Sequence, residues 1–348
     1  MKLDATDRKL LNAMQTGFPL VSRPFVAIGE ELGLGEADVL ERMASYREGG
    51  VLRQISAIFD TRRLGYQSIL VAVRVDPARL DEVASVLNRH PGVSHNYGRT
   101  HGFNLWFTLA VHPDEDLKAT VDELVERSGV DAVRLLPMER FFKIGVNFNL
   151  EDNTNASTAT EGTARVEQST VPIVLTALDI AVIRELQEDF PLIPEPYAPM
   201  AQRLGLAEDA LFAAAADLKE RGAMRRVGAV LHHRRAGITA NAMLCWQVPP
   251  ERAEEVGLTL ANRPEVSHCY QRPTYPDWPY SHFSMVHARK RSECAEIARE
   301  LSAQTGIDDY LILLSTREFK KTRVRYFVED EWRQEYRQAM AAAGPVGH

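Results

Sequence analysis

The feature that most constrains this 348-residue chain is that it is written twice. Phe18-Pro19-Leu20 returns as Phe190-Pro191-Leu192, and Leu32-Gly33-Leu34 as Leu204-Gly205-Leu206. Asp7 returns as Asp179 and Gly65 as Gly237, all 172 positions on. The offset grows to 173 where His95, Tyr97 and Arg99 return as His268, Tyr270 and Arg272, and to 177 where Phe142-Lys143 meets Phe319-Lys320. Small loop insertions account for that drift. Whatever fold one half adopts, the other must adopt as well.

Each half opens with three segments of helical apolar spacing: in half one "DATDRKLLNAM", "RPFVAIGEELGL" and "GEADVLERMASYREGGV". A β-rich segment, "VLRQISAIFD", follows and is expected to be the wing of a winged helix-turn-helix. The rest alternates as β-α-β-β-α-β, the ferredoxin-like order. The expected fold class is therefore α+β, a tandem duplication of a winged helix-turn-helix plus a ferredoxin-like βαββαβ domain. The expected boundaries are residues 1–62 and 63–150 for the first copy, and 173–234 and 235–328 for the second. Residues 151–172 are rich in Thr, Ser, Asn and Glu with no aromatic, too polar to offset the entropy of ordering, and read as a flexible linker. Residues 329–348 read as a helical tail.

Composition excludes several classes. At 45% hydrophobic and 26% charged, with no apolar run near the roughly 18 residues of a membrane helix, no membrane span is expected. The N-terminus lacks a signal peptide's apolar core. Cys245, Cys269 and Cys294 form neither a C-x-x-C pair nor an even set, which suits a reducing cytoplasm. No phosphate loop, zinc spacing or nucleophile elbow is present, so no nucleotide cofactor or resident metal is expected.

On a β-strand, residues i, i+2 and i+4 share one face at roughly 6.6–6.8 Å spacing. His95, Tyr97 and Arg99 therefore line one face together, as do His268, Tyr270 and Arg272, with Asn96, Gly98, Cys269 and Gln271 turned away. An imidazole, a phenol and a guanidinium in a row suit an anionic aromatic ligand. A solvated sheet face would explain one such row, but two copies after deep divergence elsewhere favour a ligand. Further candidates cluster nearby: His101, Asn104 and Trp106 in half one, and Tyr275, Trp278, Tyr280 and His282 in half two. If "REFKKTRVRYF" is a strand, Lys321, Arg323 and Arg325 share a face as a carboxylate clamp or as a charged edge that resists pairing. Half one retains only Lys143 there.

The N-terminal pattern resembles the Lrp/AsnC family of transcription regulators, which implies DNA binding. The third helix argues otherwise. Glu36, Asp38, Glu41 and Glu48 oppose Arg42 and Arg47, and in the duplicate Glu208, Asp209, Asp217 and Glu220 oppose Lys219 and Arg221. Four acids against two bases leave each helix at −2, facing a groove walled by phosphates. The whole chain is net −7, although Arg53, Arg225 and Arg226 flank these helices.

The segments His95–Leu109, His268–Arg272, Trp278–Arg289 and Arg317–Phe327 are similar to the siroheme decarboxylases, Lrp/AsnC-like proteins that act on a tetrapyrrole. The resemblance implies a fusion of two related subunits, pairing within one chain, with further homodimerisation left open. It implies loss of CO2 from the C12 and C18 acetates of siroheme, on a route to heme d1 or to heme. The implied substrate is siroheme, with heme as a further ligand; DNA and membrane are not expected partners. The substrate's own iron makes a separate cofactor unnecessary. His95 and His268 would deliver the proton, with Tyr97 and Tyr270 as alternatives. Arg99, Arg272, Lys143, Lys321, Arg323 and Arg325 would hold carboxylates. Ser281-His282 stands where the family pattern has Asn-Leu, so His282 is either an axial iron ligand or a chance substitution. A regulator, or a tetrapyrrole sensor without turnover, is the alternative.

Overall fold

The computed structural model describes residues 3–144, 148–149, 154–155, 171–231, 240–328 and 338. Half one runs through α1 (Ala5–Thr16), α2 (Pro24–Leu32), α3 (Glu36–Glu48), β1 (Leu52–Phe59), β2 (Gln67–Arg74) and α4 (Leu80–Arg89). It continues with β3 (Val93–Arg99), β4 (Leu105–Val111), α5 (Leu117–Ser128), β5 (Ala132–Leu136) and β6 (Arg140–Ile144). A short pair, β7 (Phe148–Asn149) and β8 (Thr154–Asn155), follows. Half two repeats the order as α6 (Ala177–Leu186), α7 (Ala198–Leu204), α8 (Glu208–Glu220), β9 (Met224–Leu231) and β10 (Ala240–Trp246). It ends with α9 (Ala253–Ala261), β11 (Val266–Gln271), β12 (His282–Ala288), α10 (Arg291–Thr305) and β13 (Tyr310–Lys321). The α+β duplication is as expected. The expected linker, apart from Thr154, Asn155, Val171 and Pro172, and the expected tail, apart from Gln338, lie outside the described residues.

The chain divides into two compact units, one gathering both helical modules and the other both sheet domains. In the first unit, α1 and α6 start with the same capping box. Asp7 N–H donates to the Asp4 carboxylate at 2.7 Å and Asp4 N–H to the Asp7 carboxylate at 2.8 Å. Thr176 and Asp179 repeat that exchange. Gly33 and Gly205 end α2 and α7 at φ 69° and 67°, where a side chain would be strained.

The expected wing is a different object. β1 pairs antiparallel with β9, its own duplicate, so the two modules share one two-stranded sheet. Phe18 N–H donates to Val227 O and Phe190 N–H to Ile55 O, each at 2.8 Å. Phe18 and Phe190 meet edge to face at 5.9 Å, closing a core that neither module has alone.

The second unit is built on a nine-stranded sheet in the order β5-β2-β4-β3-β13-β10-β12-β11-β6. The final strand of each half is exchanged. β5 pairs with β2 of its own half, but beyond Pro137 the chain crosses to place β6 beside β11 of half two. The twelve-residue β13 does the reverse without a break: Tyr310–Leu314 pair with β10 of its own half, and Ser315–Lys321 with β3 of half one. Phe142 is thereby buried in the helix-facing core of half two, and Phe319 packs against that of half one. Burying one such ring stabilises by about 1.5–3 kcal/mol. A third core, on the other sheet face, draws Trp106, Phe103 and Leu136 from half one and Met243, Trp278, Phe283 and Leu313 from half two.

Candidate active site

The two candidate rows survive folding as ladders on that third, shared face. On β3, Tyr97 is paired with Trp106; on β11, Tyr270 is paired with Phe283. Intervening residues point to the helices: Asn96 Nδ2 donates to Asn88 Oδ1 at 3.0 Å, and Cys269 Sγ contacts Gly257 O at 3.6 Å. Along each ladder the rings follow one another closely. The His95 and Tyr97 centroids are 6.2 Å apart and those of His268 and Tyr270 6.0 Å. Arg99 lies over the Tyr97 ring at 5.3 Å and Arg272 over Tyr270 at 5.2 Å, cation–π contacts that fix both groups.

Each guanidinium also reaches the other half. Arg99 Nη1 donates to Leu313 O at 3.2 Å and to Ser315 Oγ at 2.8 Å; Arg272 Nη1 donates to Leu136 O. Leu136 and Leu313 are repeat equivalents, so the contacts are reciprocal. Burial lowers the pKa of Arg99, and pushes that of Arg272 down to about 10, so Arg272 stays charged at neutral pH. The Nε of each is buried with no hydrogen-bond partner among the described residues.

The ladders are not equivalent in their surroundings. Phe141 lies 6.0 Å from Tyr270, whereas Glu318 holds the corresponding place opposite Tyr97 and Lys321 pairs with His95. The β11–β12 loop of half two carries Trp278 across onto half one, 5.2 Å from Trp106 and 5.3 Å from His101. Arg134 anchors it through Asp277 at 2.6 Å, and the Tyr275 hydroxyl donates to Leu135 O at 2.7 Å. Tyr280 adds a ring 5.2 Å from Trp278. These aromatic and ladder residues are brought together.

Other candidates are placed elsewhere. Lys143 is buried on the helix side, where its Nζ donates to Arg263 O at 2.9 Å; burial lowers its pKa. His282 is fully buried on that side, with Nδ1 at 3.0 Å from Ser281 Oγ and Nε2 at 2.8 Å from Ala253 O, so neither ring nitrogen is left for iron. Both amide atoms of Asn104 are taken by the backbone of Val75, at 3.0 and 2.8 Å. β13 ends at Lys321, so the expected row with Arg323 and Arg325 is not a strand face. Arg325 lines a cleft of about 330 Å³ with Tyr66, His90 and Asp114. A larger cleft of about 770 Å³ touches Arg272, but its rim carries Glu139, Asp308 and Asp309, which oppose a polycarboxylate.

Two further residues stand out only in the folded chain: Ser267, which bridges two histidines, and Lys320, which donates to Asn88 O at 2.7 Å. The 177-residue offset that equates Lys143 with Lys320 was the available signal for a shared structural role.

In the first unit, arginines of the third helices are committed to carboxylates. Arg42 bonds Asp7, Arg47 bonds Asp189 at 3.0 Å, and Arg221 bonds Asp179 at 2.6 Å. That leaves acidic helices where phosphate contacts would be required.

Known proteins match over the same modules. Residues 7–53 and 179–225 match the siroheme decarboxylase NirDL-like HTH domain, and residues 63–143 and 235–320 the AsnC-like ligand binding domain. A siroheme decarboxylase of Hydrogenobacter thermophilus is 42% identical over 92% of this chain and 95% of its own. A siroheme decarboxylase beta subunit of Methanosarcina barkeri is 44% identical over 42% of this chain and 97% of its own. The crystal structure of the siroheme decarboxylase NirDL in co-complex with an iron-uroporphyrin III analogue superposes with a TM-score of 0.75 at 37% identity, covering 96% of this chain and 99% of that one.

Proposed function

The chain belongs to the siroheme decarboxylase family, and from that premise we propose that it removes CO2 from the C12 and C18 acetate side chains of siroheme. The observation that carries this reading is the duplicated His-Tyr-Arg ladder on the sheet face shared by both halves. The iron belongs to the substrate, and the reaction is redox-neutral, so no separate cofactor enters.

The chemistry follows from the groups present. An acetate on a pyrrole loses CO2 when its C–C bond breaks, leaving the electron pair on a carbon that the macrocycle can delocalise. A proton delivered to that carbon makes the methyl group. His95 and His268 are the donors, and such positioned acids are typically worth about 10²–10⁴ in rate. The Nε–H of Arg99 and Arg272, buried without a partner among the described residues, would gain one in a substrate carboxylate. Trp106, Trp278 and Phe283 give the ladder face a buried aromatic core, the kind of apolar surface that a flat macrocycle would require. Held between such groups, one acetate can be oriented for cleavage while the others stay paired.

Because each half completes the other's sheet, one chain holds both ladders of the active pair. Anaerobic incubation with siroheme, followed by mass spectrometry of the extracted tetrapyrrole, tests the proposal. Loss of two CO2 units supports it; siroheme that binds and returns unchanged makes the protein a tetrapyrrole binder instead.

A further inference from the structure

Half two contains a buried hydrogen-bond chain whose second link is not repeated among the described residues of half one. Ser267 Oγ lies 2.7 Å from His268 Nδ1 and 2.8 Å from His287 Nε2, and Ser267 is fully buried. In half one, Ser94 Oγ lies 3.0 Å from His95 Nδ1, so the first link is duplicated. The second is not. His287 stands opposite Asn241 on β10, and the residue opposite the equivalent Ser68 on β2 is Ala110.

A serine hydroxyl has one hydrogen, so the chain has a direction. The Met285 carbonyl, at 3.4 Å, is a distant competitor for it. Burial pushes the His287 pKa down to about 4, with the Lys321 charge on β13 acting the same way; Asn241, across on β10, is neutral. A neutral His287 is therefore a lasting acceptor at the closed end of the chain. Ser267 can donate to it while accepting from His268 Nδ1–H. In that arrangement the His268 imidazolium is favoured and its ring is oriented, with Nε2 as the nitrogen that gives up its proton.

We propose that His287, acting through Ser267, is a positioning residue that keeps His268 oriented and protonated, and so ready to give its proton, to higher pH than it would be without the chain. This rests on the decarboxylase reading. In the step concerned, the acetate C–C bond breaks and CO2 leaves. The electron pair on the methylene carbon takes the His268 Nε2 proton, and neutral His268 keeps its Nδ1–H toward Ser267 until solvent reprotonates it. Half one would perform any such step with His95 beside Ser94, at 3.0 Å, and with Ala110 at the place of His287.

The test uses the full chain with labelled histidine, its His268 signal assigned by comparison with His268→Gln. The His268 pKa is read by NMR in wild type, Ser267→Ala and His287→Phe, and the pH profile of siroheme decarboxylation is measured on the same proteins. Both variants should lower the His268 pKa by about one unit, a tenfold loss of proton affinity, and move the limb of the rate profile by the same amount with KM little changed. Ser267→Thr, which keeps the hydroxyl, should restore both. Folded variants with the wild-type His268 titration and profile would overturn the inference. If wild type does not decarboxylate siroheme, the function fails separately, while the titration still decides whether the chain tunes His268.

Discussion

Lys143 Nζ, on the last strand of half one, donates at 2.9 Å to the carbonyl of Arg263, just past the end of α9 in half two. Lys320 returns the contact to Asn88 O and His90 O at the end of α4, at 2.7 and 3.2 Å. Each half thus supplies the cation that caps the other's helix, where exposed carbonyls favour positive charge. Lys143→Met should cost about 1–3 kcal/mol in urea unfolding by removing a charge-assisted hydrogen bond and leaving Arg263 O with the 3.2 Å bond from Val266 N–H. Turnover per folded molecule should be nearly unchanged, in contrast to a substrate clamp.

The exchange has a steric lock. A Cβ added at Gly257 would meet the Phe142 ring at 2.2 Å. Gly257→Ala should therefore destabilise by about 1–3 kcal/mol, as overpacked cores do. Phe142→Leu, which clears the space, should recover part of that loss, giving a favourable coupling in a double-mutant cycle.

Acid should loosen the second unit before carboxylates titrate. His90 is buried, its Nδ1 accepts the Gly92 N–H at 3.0 Å, and burial lowers its pKa to about 4, Lys320 adding to the effect. The folded value lies below the unfolded 6.5, so between those limits the unfolded chain binds the extra proton. Stability is present above pH 6.5 and lost as pH falls toward 4. The His90 contribution at pH 5 is a loss of about 2 kcal/mol. Urea unfolding at pH 7 and pH 5 should show it, and His90→Gln should reduce the difference.

The helical modules should not hold DNA. Titration of a labelled duplex in about 150 mM salt should show no retention, and affinity at low salt should be weak, since few phosphates can be neutralised.

The ladders were legible because strand alternation is local: His95, Tyr97 and Arg99 must share a face once β3 forms. The duplicated helical modules were legible from caps and periodicity, as Asp4 and Thr176 show. The exchange was not, because the partner of β1 lies at Met224–Leu231 and that of β6 at Val266–Gln271, pairings no local pattern encodes. Lys143 and His282 have the right chemistry for a site but sit on the helix-facing side, set by register against β11 and by contact with α9. Their residue types alone could not reveal that. Arg323 and Arg325 failed for a different reason, since the alternation that would align them stops with β13 at Lys321.

If the ladder histidines deliver the proton that completes decarboxylation, as proposed, the rate must depend on them. The most direct measurement is single-turnover loss of CO2 from siroheme, under anaerobic conditions, by wild type, His95→Ala and His268→Ala. Each variant should still bind siroheme, with His268→Ala slowing the reaction by about 10²–10⁴ and His95→Ala slowing it less. Wild-type rates in both variants would contradict the proposal, because the proton would then have to come from somewhere other than the ladders.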